Sequence, residues 1–137
     1  MNLVMAVVVA LTVCTNPTTL TQTAQAIAFV ESRFDPNAVG DNGEAIGVFQ
    51  IHPIMVDDVN IILGGTPYTL DDRWSVVKSS EVFAIYCLHY WPKGTSEDWA
   101  RGWNGGPSWR EKKWKTNRYW KTVKERLNEV CYNKAGK

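Results

Sequence analysis
Apolar residues recur along this chain at helical spacing, interrupted by polar, glycine and proline clusters that divide it into elements. Leu20, Ala24, Ile27 and Ala28 lie three and four residues apart, which buries one face of a helix. Thr18 or Thr19, after a polar break over residues 15–19, caps its start, and Asp35-Pro36 stops it near Phe34. Glu31 continues the buried stripe, four after Ile27 and three after Ala28. From residue 37 to 51 the signals change to Gly40, Asp41-Asn42-Gly43 and Gly47, and the Asn-Gly step between Val39 and Ile46 predicts a small hairpin or tight loop beside Glu31. Phe49, Ile51, Ile54, Met55 and Val59 return to mostly helical spacing, closed by Gly64-Gly65.

The second half reads as three helices. Thr69-Leu70-Asp71-Asp72 has the form of a capping box and predicts a long helix to Trp91, stopped by Pro92; its stretch over residues 82–88 is apolar all round, as in a central core helix. A second box, Thr95-Ser96-Glu97-Asp98, opens a short helix through Trp103 that ends at Asn104-Gly105-Gly106-Pro107. The last helix, about residues 116–132, turns Tyr119, Trp120, Val123, Leu127 and Val130 inward and its basic residues outward. No repeat or linker interrupts the pattern, so residues 18–137 read as one mainly α domain of the α+β class. Residues 1–17 form an apolar N-terminal leader or an extra helix.

Composition supports a folded domain. The chain has 137 residues, 45% of them hydrophobic, with seven Trp, which is enough for a core and sets disorder aside. The net charge of +1 conceals an asymmetry: residues 1–109 hold 5 Lys/Arg against 11 Asp/Glu, a net of −6, while residues 110–137 hold 10 against 3, a net of +7. Such a basic segment is either a solvated helix face or a contact for an anionic polymer or surface. It carries no nucleic-acid recognition motif. The apolar run over residues 3–13 is shorter than the ~20 residues a membrane span takes and compares better with a signal-peptide core. An uncleaved helix packed on the domain is the alternative. Cys14, Cys87 and Cys131 form neither a disulfide framework nor a metal-ligand spacing, so no metal or cofactor is expected. Cys87 and Cys131 are open to pairing or to remaining separate thiols.

Glu31 is the candidate for chemistry. Desolvation on an apolar face and the negative end of the helix both raise a carboxyl pKa, which suits a general acid near neutral pH. The alternative is an interfacial Glu paired with a cation such as Arg33.

Four pieces follow in order: Glu31-Ser32 at a helix end, Pro36-Asn37-Ala38, Gly47-Val48-Phe49-Gln50-Ile51, and Trp103-Asn104-Gly105-Gly106-Pro107. Together they resemble the lysozyme-like superfamily. The first three are similar to the lytic transglycosylase pattern, while residues 100–107 and Tyr119-Trp120-Lys121-Thr122-Val123 are closer to invertebrate-type lysozymes; the likeness covers about residues 20–125. The resemblance implies a mainly α, lysozyme-like fold with a small β-hairpin or loop beside a cleft. Its expected activity is cleavage of the β-1,4 bond between N-acetylmuramic acid and N-acetylglucosamine in peptidoglycan.

Carried over residue by residue, Glu31 takes the acid position, and Ser32, Gln50, Ile51, Trp103, Asn104 and Gly105 become substrate-binding candidates. The competing readings are a helix-end polar residue for Ser32 and a loop brace for Gln50. Trp103 stands where transglycosylases usually carry Tyr and invertebrate-type lysozymes His, and its indole offers a stacking face, as does that of Trp109. Asp41 is the candidate second carboxylate, with Glu44 behind it and an ordinary turn as the alternative. His52 follows Gln50-Ile51 in a loop, where a surface position is the expectation and reaching the cleft the alternative. Hydrolysis and transglycosylation stay open, since hydrolysis needs a second carboxylate or a positioned water and transglycosylation uses the sugar's own C6 hydroxyl. The expected partner is a peptidoglycan glycan strand met by a monomer, with no nucleic acid. Its setting is the periplasm or cell envelope, or that of a phage lysin or virion protein. A non-catalytic wall-binding or virion module on the same fold is the rival reading.

Overall fold
Thr19 opens the first helix as predicted, its hydroxyl accepting from the Gln22 amide while the Gln22 side chain accepts from the Thr19 amide at 2.8 Å. The computed structural model describes residues 18–135. Helix α1 runs over Leu20–Ser32, two residues short of the expected end. It is stopped by Arg33 and Phe34, both left-handed with φ of 54° and 65°, whose amides return to the Phe29 and Ala28 carbonyls. The predicted Asp35-Pro36 stop lies just beyond this backbone cap.

The hairpin forms where the Asn-Gly step placed it. Strands β1 (Val39–Gly40) and β2 (Ala45–Ile46) pair antiparallel, Val39 opposite Ile46 and Gly40 opposite Ala45. The tip turns through three left-handed residues, Asp41, Asn42 and Gly43. Gly47 is also left-handed at φ 76°, and a Cβ there would overlap the Arg73 carbonyl oxygen, so glycine is required. Arg73 clamps this loop from the far side, donating to the Glu44 and Ile51 carbonyls at 2.9 and 3.1 Å.

Helix α2 covers Pro53–Leu63. The expected continuous helix from Thr69 is broken in two: the Thr69–Asp72 box closes, yet it opens a 3-10 turn, Leu70–Trp74, and Ser75 then caps helix α3, Val76–Tyr90. The Ser75 side chain accepting from Lys78 is a second start signal inside the apparent run. Helix α4 (Ser96–Gly105) follows its own closed box at Thr95 and Asp98. A 3-10 segment, Trp109–Thr116, leads into helix α5, Asn117–Ala135.

Of the five α-helices of the described residues, α3 packs against α1, α2 and α4, and its Val82, Phe83, Ala84, Tyr86 and Cys87 are buried. Phe83 stacks on Phe49 with ring centroids 4.7 Å apart, and Trp103 meets the Phe83 and Tyr86 rings edge-on at 4.9 and 5.5 Å. Helix α4 approaches Trp91 through Gly102, where a Cβ would collide with the indole. Val123 and Leu127 bring α5 into the core beside α1, and the Arg126 guanidinium lies 3.6 Å over the Phe29 ring. Cys87 is buried and Cys131 partly so, and neither is in a disulfide. Cys14 and the apolar leader lie outside the described residues. No helix among the described residues is long and apolar enough to cross a membrane.

Candidate active site
Helix α1 delivers Glu31 to its last turn, two residues before the left-handed Arg33 cap. The half-buried carboxyl accepts a hydrogen bond from the Tyr119 hydroxyl at 2.7 Å, 88 positions later in the chain. Its pKa is raised from 4.5 to about 7, chiefly because burial disfavours the charged form. The Tyr119 hydrogen bond works against that rise, the charge of Asp41 adds to it, and His52 opposes it. In return, burial and the Glu31 carboxylate push the Tyr119 phenol well above its ordinary value, so it stays a donor. Arg33 is exposed and makes no ion pair with Glu31 among the described residues, which removes the pairing alternative.

The hairpin tip supplies the groups facing Glu31. Asp41 bonds the His52 ring at 2.8 Å, with the Asp side chain 71% exposed and the His 38%. His52, expected at the surface with the cleft as the alternative, is part exposed and lines a groove, and its pairing with Asp41 across the loop is new. Of the two candidate loop carboxylates, Asp41 is the one whose charge registers at Glu31. Glu44 is exposed and contributes its backbone carbonyl to Arg73.

The other site candidates divide by what their side chains touch. Ser32 directs its hydroxyl to the Val48 carbonyl at 2.9 Å and the Ala28 carbonyl at 3.1 Å, tying the end of α1 to the Gly47 loop. Gln50, at a left-handed φ of 51°, gives its amide hydrogens to the Ala38 and Gly47 carbonyls. Gln50 thus braces the loop, as its alternative reading had it, and Ser32, a polar residue at the helix end, also ties that end to the loop. Ile51 is fully buried and bridges Ile46, so its side chain belongs to the core and not to a cleft wall. Trp103 is only 6% exposed, and its indole N–H donates to the Phe49 carbonyl at 3.2 Å. Most of the ring is packed against Phe49, Phe83 and Tyr86, and its remaining surface forms part of the wall of a groove. Trp109 is likewise mostly buried, with the Arg101 and Arg110 guanidiniums over its ring, and its remaining surface borders a second pocket.

Asn104 is exposed and lines a groove of about 460 Å³ together with His52, Ile54, Met55 and Asp58. His52 thus joins this groove to the Asp41 and Glu31 corner. Gly105 points the other way and borders a separate pocket of about 320 Å³. Among the described residues no cluster of His, Cys, Asp or Glu has a metal-binding arrangement.

A carboxyl of raised pKa at a helix end, under the charge of Asp41 on the hairpin and of His52 at the groove, now stands beside a match to the family model for the transglycosylase SLT domain over residues 14–127. The chain belongs to that family. Comparison with curated proteins and with solved structures gives no match. The SLT domain acts on peptidoglycan with lytic transglycosylase-type activity, and the lysozyme-like, mainly α architecture read from the sequence is the one observed. Within this SLT domain the side chain missed by the sequence reading is Tyr119, which was assigned to the core. The available signal was its place in the segment Tyr119–Val123, which carried part of the family resemblance.

Proposed function
We propose that this SLT domain cleaves the β-1,4 bond between N-acetylmuramic acid and N-acetylglucosamine, with Glu31 as general acid and then base. The observation that carries the reading is the Glu31 carboxyl itself, half-buried, with a pKa of about 7 and a 2.7 Å hydrogen bond from Tyr119. A carboxyl of that pKa holds a proton near neutrality and releases it readily. Glu31 gives its proton to the glycosidic oxygen, which leaves as the C4 hydroxyl of the departing sugar. The resulting carboxylate takes the proton from the C6 hydroxyl of the muramic residue as that oxygen closes on C1, returning Glu31 to its acid form. Tyr119 holds the carboxyl in place throughout, and the exposed amide of Asn104 is available to the substrate's N-acetyl groups.

Intramolecular closure is favoured over hydrolysis by the state of Asp41. Retaining hydrolysis needs a nucleophile ~5 Å from the acid and free to attack. Asp41 is largely exposed and hydrogen-bonded to His52, a position from which it acts on Glu31 by charge. Replacing Glu31 by Gln lowers release of muropeptides from purified wall by about 10²-fold or more, and retained turnover refutes the assignment. Mass spectrometry of the wild-type products decides the second point: a 1,6-anhydro sugar is lighter by one water than the reducing sugar that hydrolysis leaves. Since peptidoglycan lies outside the cytoplasmic membrane, the site of action is extracytoplasmic.

A further inference from the structure
The segment between α4 and α5 carries four cations, and the fold treats them in two ways. Arg110 pairs with Asp98 and Lys113 with Glu97, so both are neutralised by acids of α4. Lys112 and Lys115 have no ion pair among the described residues, and Lys115 lies over the exposed Trp114 ring at 5.4 Å. Those two lysines line the 320 Å³ pocket, with Ser108, Glu111, Trp109 and Thr116 around them. The Trp109 indole N–H is buried and has no hydrogen-bond partner among the described residues. Arg101 makes this wall rigid. Itself 5% exposed and bonded to Glu97, it donates to the Lys113 carbonyl, the Thr116 hydroxyl and the Asn117 side chain at 2.8 to 3.1 Å.

One tight turn separates this pocket from the glycan groove: Asn104, Gly106 and Pro107 border the groove, and Gly105 borders the pocket. A strand lying in the groove therefore passes beside the turn whose other side carries Lys112 and Lys115. The groove side contains Asp57 and Asp58, which disfavour an anion there and direct it across the turn.

We propose that the pocket lined by Lys112, Lys115 and Trp109 binds a carboxylate-bearing end of the stem peptide carried by the glycan strand, making this domain selective for peptide-bearing strands. The proposal rests on the peptidoglycan reading above. The lysines take the carboxylate, and Glu111 and the Ser108 hydroxyl accept from the amide or ammonium groups beside it.

The test compares the wild type with the double variant Lys112→Ala/Lys115→Ala on two materials: purified peptide-bearing peptidoglycan, and glycan strands stripped of stems by an amidase. On the peptide-bearing material KM rises about fivefold with kcat unchanged, the size expected for two exposed charge contacts, and Lys112→Arg/Lys115→Arg restores it. On stripped strands, whose remaining lactyl carboxylates sit on the sugar and not at a peptide end, wild type and variant behave alike. An unchanged KM on peptide-bearing wall, or an equal rise on both materials, overturns the proposal. Co-sedimentation reads the pocket without turnover: a soluble stem tetrapeptide releases wild-type protein from peptide-bearing wall, and inorganic phosphate at the same concentration does not. Equal release by phosphate overturns the stem assignment. A wild type that binds in this stem-dependent way yet cleaves neither material refutes the catalytic reading and leaves the pocket standing.

Discussion

Burial raises the Glu31 pKa, Asp41 raises it further, and Tyr119 and His52 draw it down, so the proton on this carboxyl is set by four contributions of known sign. Each neighbour can be removed without touching the acid. Tyr119→Phe deletes a contribution that lowers the pKa, so the alkaline limb of the kcat/KM profile moves from about pH 7 to higher pH. Asp41→Asn deletes one that raises it, and the limb moves to lower pH. A purely structural role for both residues would shift neither limb, and shifts of the same sign would contradict the arrangement. The same pKa sets a stability term. A carboxyl held at about 7 when folded and 4.5 when unfolded binds its proton more tightly in the fold, so ionisation destabilises the native state. That cost is absent below pH 4.5, grows between pH 4.5 and 7, and is complete above pH 7. Glu31→Gln therefore stabilises the domain by about 2–3 kcal/mol at pH 8 and by almost nothing at pH 4, readable as a melting-temperature gain confined to the higher pH.

The elements that hold this carboxyl are fixed by contacts of very different range, and that range decided what could be read in advance. The caps at Thr19 and Thr95 are made by residues three positions apart, so their spacing reveals them directly. The hairpin was equally local, since Asn42-Gly43 supplies the left-handed turn by itself. Thr69 shows the limit of local reading: its box is real, but whether one helix or two follow depends on Ser75 competing for the next start. Ile51, expected at the cleft, lies in the core, and Trp103 and Trp109 keep only a small exposed part at a groove or pocket, for a shared cause. Whether an aromatic or aliphatic side chain faces a groove or a core depends on partners from other elements, such as Phe83 for Trp103 and Arg101 for Trp109. Tyr119 was hidden for the same reason, its partner lying 88 residues away. Arg101 is the element-scale test of this long-range order, because one buried guanidinium joins α4, the 3-10 segment and the start of α5. Arg101→Met keeps the volume and removes the donors to the Thr116 and Asn117 side-chain oxygens, while the Lys113 carbonyl keeps the Thr116 hydroxyl. Urea unfolding should show a loss of about 2–4 kcal/mol, and a loss below about 0.5 kcal/mol would mean that the segment holds without it.

Across the whole molecule the charge divides with the architecture: net −6 up to residue 109, which includes the Asp41, Asp57 and Asp58 side of the groove, and net +7 from residue 110 onward. Peptidoglycan stems carry carboxylates, so the wall should draw the molecule in by its basic end and leave the groove mouth to the uncharged glycan. Lys121 and Lys124 on α5 are exposed and have no ion pair among the described residues, and they lie outside both the groove and the Lys112–Lys115 pocket. Their contribution is therefore to the field and not to a fitted contact. A field of this kind is screened over a Debye length of ~10 Å at 0.1 M salt, whereas a pocket contact is screened much less. Reversing both charges, Lys121→Glu with Lys124→Glu, should lower turnover of insoluble wall severalfold at low salt. The difference from wild type should close as salt is raised. Turnover of short soluble glycan fragments should change much less, because a small substrate carries few carboxylates for the field to act on. A deficit that persists at high salt would place these lysines in direct contact with the wall, and no deficit at low salt would mean that the charge asymmetry does not act in wall encounter.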